Sequence, residues 1–527
     1  MRFFNTAGPS VDGQHYMIPP LQRLDLPEVE ALIEQQRYFV LHAPRQTGKT
    51  SCLLALMRHL NAQGRYQALY ANIEAAQAAR GDVARGVETI IDFIAMEGAL
   101  YLHDERFNAW KQDALSAGAA LTAYLSRWAQ AADKPVVLML DEVDALVGDT
   151  LISLLRQVRA GYHRRPAAFP QAIILCGVRD VRDYRIHTKD QEIITGGSAF
   201  NIKAVSLRLG NFSRAEAAAL FQQHTEDTGQ AFMPEIFAEL WEDTQGQPWL
   251  VNALGHELTW QDKAARERSV PITLERYQAA RERLIRSRAT HLDQLTDKLK
   301  EKRVHRVMAP LLQSEGSSRE FREDDLQYVE DLGLIRRKPE VTIANRIYRE
   351  TIPRELTAPI QDGLHQQTAW YVTPDHRLDL LKLLAAFQQF FREHADAWLE
   401  RFDYKEAGPQ LLLQAFLQRV VNGGGRVNRE YGLGLRRTDL LLEWPLDEWQ
   451  GYHGPVQRVV IELKLLHKSL QQTLAAGLEQ TADYADRCGA SEAHLLIFDR
   501  RSGIPWEEKI RHSAESYDGR IIQVWGA

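Results

Sequence analysis

The stretch that most constrains this chain is "APRQTGKTS", Ala43 to Ser51. It follows a short apolar run, "YFVLHA", and precedes an amphipathic segment, "SCLLALMRHLNAQG". A buried strand, a tight loop and a helix start are therefore expected in that order, which is the context that G-x-x-x-x-G-K-[ST] requires. Backbone N–H groups of such a loop and of the helix N-terminus surround a β-phosphate. Gly48 lets the backbone approach closely. Lys49 supplies charge to the β- and γ-phosphates, and Thr50 a hydroxyl to Mg²⁺. Arg45, Gln46, Thr47 and Ser51 complete the nucleotide-contacting set. Ala43 stands where the first glycine usually does, and the closing Gly-Lys-Thr is intact.

A phosphate loop of this kind needs an acidic residue at the end of a second buried strand. "VVLMLDEVDAL" provides Asp141, expected to hold Mg²⁺, and Glu142, expected to polarise the attacking water. "YQALYANI" and "QAIILCGVRD" read as two further buried strands with helical segments between them. Strands alternating with helices make a parallel α/β sheet. Beyond Arg208 the strand signals stop. "SRAEAAALFQQHTEDTG", "MPEIFAELWEDTQG" and "QPWLVNALGHELTWQDKAARE" read as three helices, with Ser213 as a cap and Gly229 and Gly246 as stops.

These features resemble the AAA-like P-loop ATPases of the group that contains the STAND, origin-recognition-type and archaeal ATPases. "APRQTGKT", the acidic pair in "LMLDEVD" and "GQPWLVNAL" (Gly246, Gln247, Pro248) carry the resemblance over residues 20–290. It implies ATP and Mg²⁺ as cofactors and a sensor near "IILCGVRDVRDYR". Arg179, Arg182 and Arg185 are candidates for sensing the γ-phosphate or acting as an arginine finger; an ordinary surface charge is the rival reading for each. "EDDLQYVEDLGLIRRKPEVTIANRIYRETIPREL" resembles a winged helix, with Lys338 and Pro339 at the wing's turn. Upstream, Arg281 to Arg306 holds nine Lys/Arg against four Asp/Glu, a patch able to bind phosphates or to form a solvated helix face. The recognition-helix position is acidic, which argues against a place in a major groove.

A second constellation lies near the C-terminus. In "VVIELKLLHK" the alternation of a strand puts Glu462 and Lys464 on one face. A preceding strand, "RRTDLLLEW", carries Asp439. If the two strands pair, the two carboxylates repel unless a cation lies between them. Asp439, Glu462 and the Leu463 carbonyl suit Mg²⁺, and Lys464 suits water orientation or charge stabilisation. Gln480 and Tyr484, at i and i+4 in "LEQTADYADRC", share a helix face. The D…E-x-K spacing with Q-x-x-x-Y resembles the PD-(D/E)xK, restriction-endonuclease-like superfamily in its RecB-like branch. That resemblance implies a Mg²⁺-dependent nuclease. Glu406, Gln410 and Glu430 are further candidates for its acidic set, and Arg436 and Arg437 for phosphate contact or plain surface charge.

Length and composition set the remaining bounds. A chain of 527 residues exceeds one hydrophobic core, so three or four domains are expected. The expected order is an ATPase core (1–205), a helical lid (206–272), a winged-helix-like module (273–356), a linker (357–372) and a nuclease-like α/β domain (373–527). Cys52, Cys176 and Cys488 fit neither zinc spacing nor a disulfide framework, which with the lack of a secretory pattern points to the cytoplasm. A net charge of −6 gives no global sign of nucleic-acid binding. Nucleic acid, DNA ahead of RNA, is the partner the resemblance implies. A homo-oligomer is compatible with it, and no membrane association is expected. Defence against foreign DNA or mobile-element biology is the setting such a fusion suggests by analogy. The rival readings are an ATP-switched signalling or scaffold protein, and a DNA translocase, whose nuclease-like domain binds without cleaving.

Overall fold

The computed structural model describes residues 2–112, 116–146, 148–179, 185–187, 193–195, 202–287, 298–299, 301–312, 321–361, 370–401, 408–422, 424–433, 436–447, 450–466, 469–499, 501 and 504–527. Two compact units make up the chain: Met1–Ser287 with Gln327–Arg336, and Arg288–Leu326 with Arg337–Ala527.

The first unit opens with two short strands, β1 (Phe3–Phe4) and β2 (His15–Tyr16), which pair in parallel. Its main sheet is built from β3 (Tyr38–His42), β4 (Gln67–Asn72), β5 (Val136–Asp141), β6 (Ala172–Gly177) and β7 (Lys203–Arg208). All neighbours are parallel, in the order β4-β5-β6-β3-β7. Every residue of β3, β5 and β6 is buried, because helices cover both faces. Leu69, Leu138, Leu140, Ile173 and Leu175 pack against Ile90, Ile94, Tyr124 and Trp128 on one side. Phe39, Leu41, Tyr70, Met139 and Ile174 meet Val29, Ile33, Leu53 and Leu56 on the other. The apolar runs seen in the sequence are thus two-sided strands, as a parallel α/β sheet requires.

Helix α1 (Leu26–Glu34) starts at Asp25, whose side chain accepts from the Glu28 N–H. Helix α2 (Lys49–Gln63) starts at Gly48 and ends at Gly64, both left-handed. Helix α3 (Arg214–Thr228) carries a full capping box between Ser213 and Glu216 and stops at left-handed Gly229. Helix α4 (Ile236–Thr244) ends at Gln245 and Gly246, both left-handed. Helix α5 (Pro248–His256) is shorter than its sequence pattern suggested, since Glu257–Gln261 turns as a π-helix. Among the described residues no helix is long and apolar enough to cross a membrane.

The second unit centres on a six-stranded mixed sheet. Its strands are β8 (Arg426–Leu433), β9 (Arg436–Pro445), β10 (Val456–Leu465), β11 (Glu492–Phe498), β12 (Arg511–Tyr517) and β13 (Arg520–Gly526), in the order β8-β9-β10-β11-β13-β12. The β8–β9, β9–β10 and β12–β13 pairs are antiparallel, and β10–β11 and β11–β13 are parallel. Helices α6 (Leu380–Arg401) and α7 (Gly408–Asn422) cover the face that carries Leu440, Leu442, Val459, Ile461 and Leu463. Helix α8 (Leu470–Arg487) covers the opposite face, against Leu441, Val460 and Leu495. The sequence linker at 357–372 begins inside a helix, Arg346–Gln361, and its residues 362–369 lie outside the described residues.

Candidate functional site

The phosphate loop joins β3 to α2. Gly48 takes φ 91° and Gln46 φ 56°, so the chain turns sharply just before the helix. The Thr47 hydroxyl donates to the Pro44 carbonyl at 2.6 Å and holds the turn from inside. Arg45 and Gln46 are exposed on its outer side. Lys49 is buried, and its Nζ donates to the Ala43 and Pro44 carbonyls at 3.0 and 3.2 Å. Among the described residues these two loop carbonyls are its only hydrogen-bond partners, and phosphate oxygens outcompete neutral carbonyls for an ammonium.

Strand β5 delivers the acidic partner. Asp141 is fully buried. Its Oδ2 accepts from the Thr50 hydroxyl at 2.7 Å and from the Tyr70 hydroxyl at 3.1 Å, and its Oδ1 accepts from the Glu142 N–H at 2.9 Å. Thr50 and Asp141 therefore meet from two separate elements. A hydroxyl oxygen beside a carboxylate is a hard-oxygen set that suits Mg²⁺. Among the described residues no three His, Cys, Asp or Glu side chains gather as a metal cage.

Glu142 follows in a left-handed conformation, φ 57°. Strain of this kind in a non-glycine residue clusters at working sites. Burial pushes the Glu142 carboxyl above its ordinary range; Lys49 opposes this, and Asp141, Asp144 and Glu74 reinforce it. Cys176, wholly buried beside Asp141, has its thiol pushed well up by burial and is an inert wall of the site.

Beside the loop lies a cleft of about 120 Å³ that the sequence reading did not foresee. Asn5, Gly8, Arg23, Gln46, Gly48 and Trp249 are among its lining residues. An N-terminal strap forms its roof. Phe4 is buried against Phe221 and His224, Arg2 grips Asp227 at 2.7 and 2.9 Å, and Trp249 Nε1 donates to the Thr6 carbonyl at 2.9 Å. The Ser10 N–H donates to Ser51 Oγ at 3.0 Å and fixes the strap to α2. Only the apolar and aromatic letters of "MRFFNTAGPSVDGQHY" hinted that this irregular segment packs.

Of the three candidate sensors, Arg179 lies just past β6, with its guanidinium 4.9 Å from the Tyr328 ring. Arg182 and the Arg185 side chain lie outside the described residues. The stretch around Tyr328 packs beside the loop: Glu330 pairs with Arg208 at 3.2 Å, and a Cβ on Gly333 would meet Pro44 at 2.8 Å. Five cations of the basic stretch are engaged by acids, while Lys302 is exposed. Arg281 pairs with Asp243, Arg283 with Glu257, Lys298 with Glu301, and Arg303 and Arg306 with Asp325.

In the second unit, Glu462 and Lys464 share the strand parity of Val460, which faces α8. Glu462 is 3% exposed, and Lys464 Nζ lies 3.0 Å from its Oε1. Tyr484 is buried on α8 against the same sheet face. Gln480 stands one turn earlier on that helix. Its Oε1 is buried without a hydrogen-bond partner among the described residues. Asp439 directly precedes Leu440, whose backbone pairs with Ile461, so the ladder extended by one step sets the Asp439 backbone opposite Glu462. The side chains of Asp439, Glu430, Arg436 and Arg437 are not among those described, and Glu406 lies outside the described residues. Gln410 is buried on α7.

The sequence profile described as "AAA-like domain" matches residues 20–352. No curated protein sequence matches the chain. Among solved structures, the Walker-type ATPase PABY2304 of Pyrococcus abyssi aligns at 13% identity and a TM-score of 0.44, over 66% of this chain and 99% of that one. Cdc6p of Pyrobaculum aerophilum aligns at 14% identity and a TM-score of 0.35, over 66% and 94%. The RuvB Holliday junction branch migration motor of Thermotoga maritima aligns at 12% and 0.32, over 63% and 92%.

Proposed function

This chain belongs to the family of AAA-like domains, and on that premise we propose that its first unit binds ATP with Mg²⁺ and hydrolyses it. The observation that carries the reading is the 2.7 Å contact between Thr50 of the loop and Asp141 of the neighbouring strand. The loop N–H groups and Lys49 hold the phosphates, while Arg45, Gln46, Thr47 and Ser51 shape the loop around them. Bound Mg²⁺ supplies charge neutralisation at the phosphate oxygens, with Thr50 and Asp141 as its protein-side holders. Glu142 orients the attacking water and takes up its proton as the base, a role its raised affinity for a proton suits. The cleft roofed by the strap accepts the base, and Arg179 stands as the candidate phosphate sensor. In domain terms the proposal places the ATPase core at 1–205, a helical lid at 206–272 and a winged-helix-like module at 273–356.

The reading extends to residues 373–527 as a Mg²⁺-dependent nuclease acting on nucleic acid, DNA ahead of RNA. Asp439 and Glu462 would hold the cation, Lys464 would stabilise charge in the transition state, and Gln480 and Tyr484 would line the site from α8. The shared sheet face of Glu462 and Lys464 beneath α8 supports it. A second reading takes support from the same pair: a buried carboxylate already answered by a lysine at 3.0 Å is also how a non-cleaving, binding-only fold would settle its charges.

Phosphate release by the purified chain separates these claims. ATP turnover that vanishes in Lys49→Ala and Glu142→Gln supports the first. Cleavage of plasmid or single-stranded DNA with Mg²⁺ and ATP, lost in Lys464→Ala and Asp439→Ala, supports the second. Intact DNA and RNA under all of these conditions would leave the binding-only reading standing.

A further inference from the structure

Arg23 belongs to none of the sequence motifs. It closes a single 3-10 turn, Pro20–Arg23, ahead of α1. Its guanidinium donates from Nη1 to the Thr47 carbonyl at 2.6 Å and from Nη2 to the Gly210 carbonyl at 2.7 Å, and stacks on Phe212 at 4.8 Å. Among the described residues no carboxylate pairs with it. Partial burial lowers its affinity for a proton, and Cys52 and Glu216 work the other way. Arg23 is half-buried, and a cation held in that position by two carbonyls and one ring gives up part of its hydration without gaining an ion pair among the described residues.

The direction of the Thr47 bond supplies the reason. The Thr47–Gly48 peptide is trans, so its carbonyl and the Gly48 N–H point opposite ways. Arg23 therefore holds the carbonyl on its own side and fixes the Gly48 N–H in the opposite direction, away from the guanidinium. The same fork grips Gly210, the connection between β7 and α3. A lysine has the charge but not the planar fork needed to hold two carbonyls from separate segments.

We propose that Arg23 is a positioning residue for nucleotide turnover, acting through the Thr47–Gly48 peptide and tying its orientation to the start of the helical segment. The proposal rests on the P-loop reading above. Its test compares the full chain with Arg23→Met and Arg23→Lys, by calorimetric Kd for ATP and ADP, kcat at saturating ATP, and the thermal midpoint as a folding control. In Arg23→Met we expect Kd for both nucleotides to rise about tenfold and kcat to fall by about the same factor. Arg23→Lys should recover less than a third of either loss. If Arg23→Met binds both nucleotides within twofold of wild type and keeps its kcat, Arg23 is a structural tie and the proposal fails. The same holds for Arg23→Lys if Arg23→Met does not fold. A wild-type chain that binds no ATP sinks the nucleotide reading itself, and this proposal with it.

Discussion

The two candidate sites solve the placement of charge in opposite ways. In the first unit the cation, Lys49, rests on carbonyls, and the carboxylate, Asp141, rests on hydroxyls and a backbone N–H. Neither pairs directly with the other: among the described residues Lys49 makes no ion pair and acts on the Glu142 carboxyl only through space. In the second unit Lys464 and Glu462 answer each other directly at 3.0 Å. A site whose charges are kept apart is prepared for a charged ligand. One whose charges are paired must first give up an ion pair to take a metal or a phosphate.

The largest expected effect is on turnover. Lys49→Ala and Glu142→Gln should each cut ATP hydrolysis by about 10²–10³-fold, measured as phosphate release. Lys464→Ala should leave that rate within about twofold. An equal loss in Lys464→Ala would abolish the contrast between the sites.

Next comes stability. Lys464→Ala takes a buried carboxylate's partner away and should destabilise the second unit by on the order of 3 kcal/mol in urea unfolding. The double change Glu462→Leu with Lys464→Met should restore most of it, because both charges leave together. Lys49→Ala strips bonds only from two carbonyls and should cost about 1 kcal/mol. Equal costs for the two lysines would mean that the pairing difference has no energetic meaning.

A test of how locally the first region is built comes from Gly246. Its φ is +68°, and a Cβ there would lie 1.9 Å from the Phe212 carbonyl oxygen. Gly246→Ala should destabilise the first unit by about 2 kcal/mol and weaken ATP binding.

The smallest effect is the most diagnostic of Glu142. Its folded-state pKa is raised, so the folded chain favours the protonated form. The stability from this group is therefore full below the unfolded carboxyl range and declines as pH rises through the folded value. Glu142→Gln should match or exceed wild type in thermal midpoint at neutral pH, with the gap closing in acid. Wild-type hydrolysis should in turn fall as pH drops through that raised value, since the base must be ionised. A midpoint lowered by Glu142→Gln at neutral pH would contradict the burial effect.

Legibility followed the same divide. "APRQTGKTS" is contiguous, so strand, turn and helix start could be read from nine neighbouring letters, and the cap at Ser213 from the residues around it, while the return bond from Glu216 came from the structure. The Asp439–Glu462–Lys464 grouping depends on a strand register across a long connection, and on a helix that returns to one face. Arg23 was invisible because its partners, Thr47 and Gly210, are far away in sequence and offer only backbone carbonyls, which no side-chain pattern reports. The basic stretch left two readings open for a related reason. Composition counts charges, but whether Asp325 sits between Arg303 and Arg306 is a matter of three-dimensional placement.

By itself the sequence determined what short-range physics controls: the fully apolar strands that need cover on both sides, the glycines that accept left-handed turns, and the loop whose N–H groups converge on an anion. Only the tertiary structure decided the long-range pairings. It set β3 between β6 and β7, brought Thr50 to Asp141, folded the N-terminal strap over the cleft and laid α8 over the face that carries Glu462 and Lys464. Periodicity records which face of an element is buried, and it carries no information about which other element will bury it.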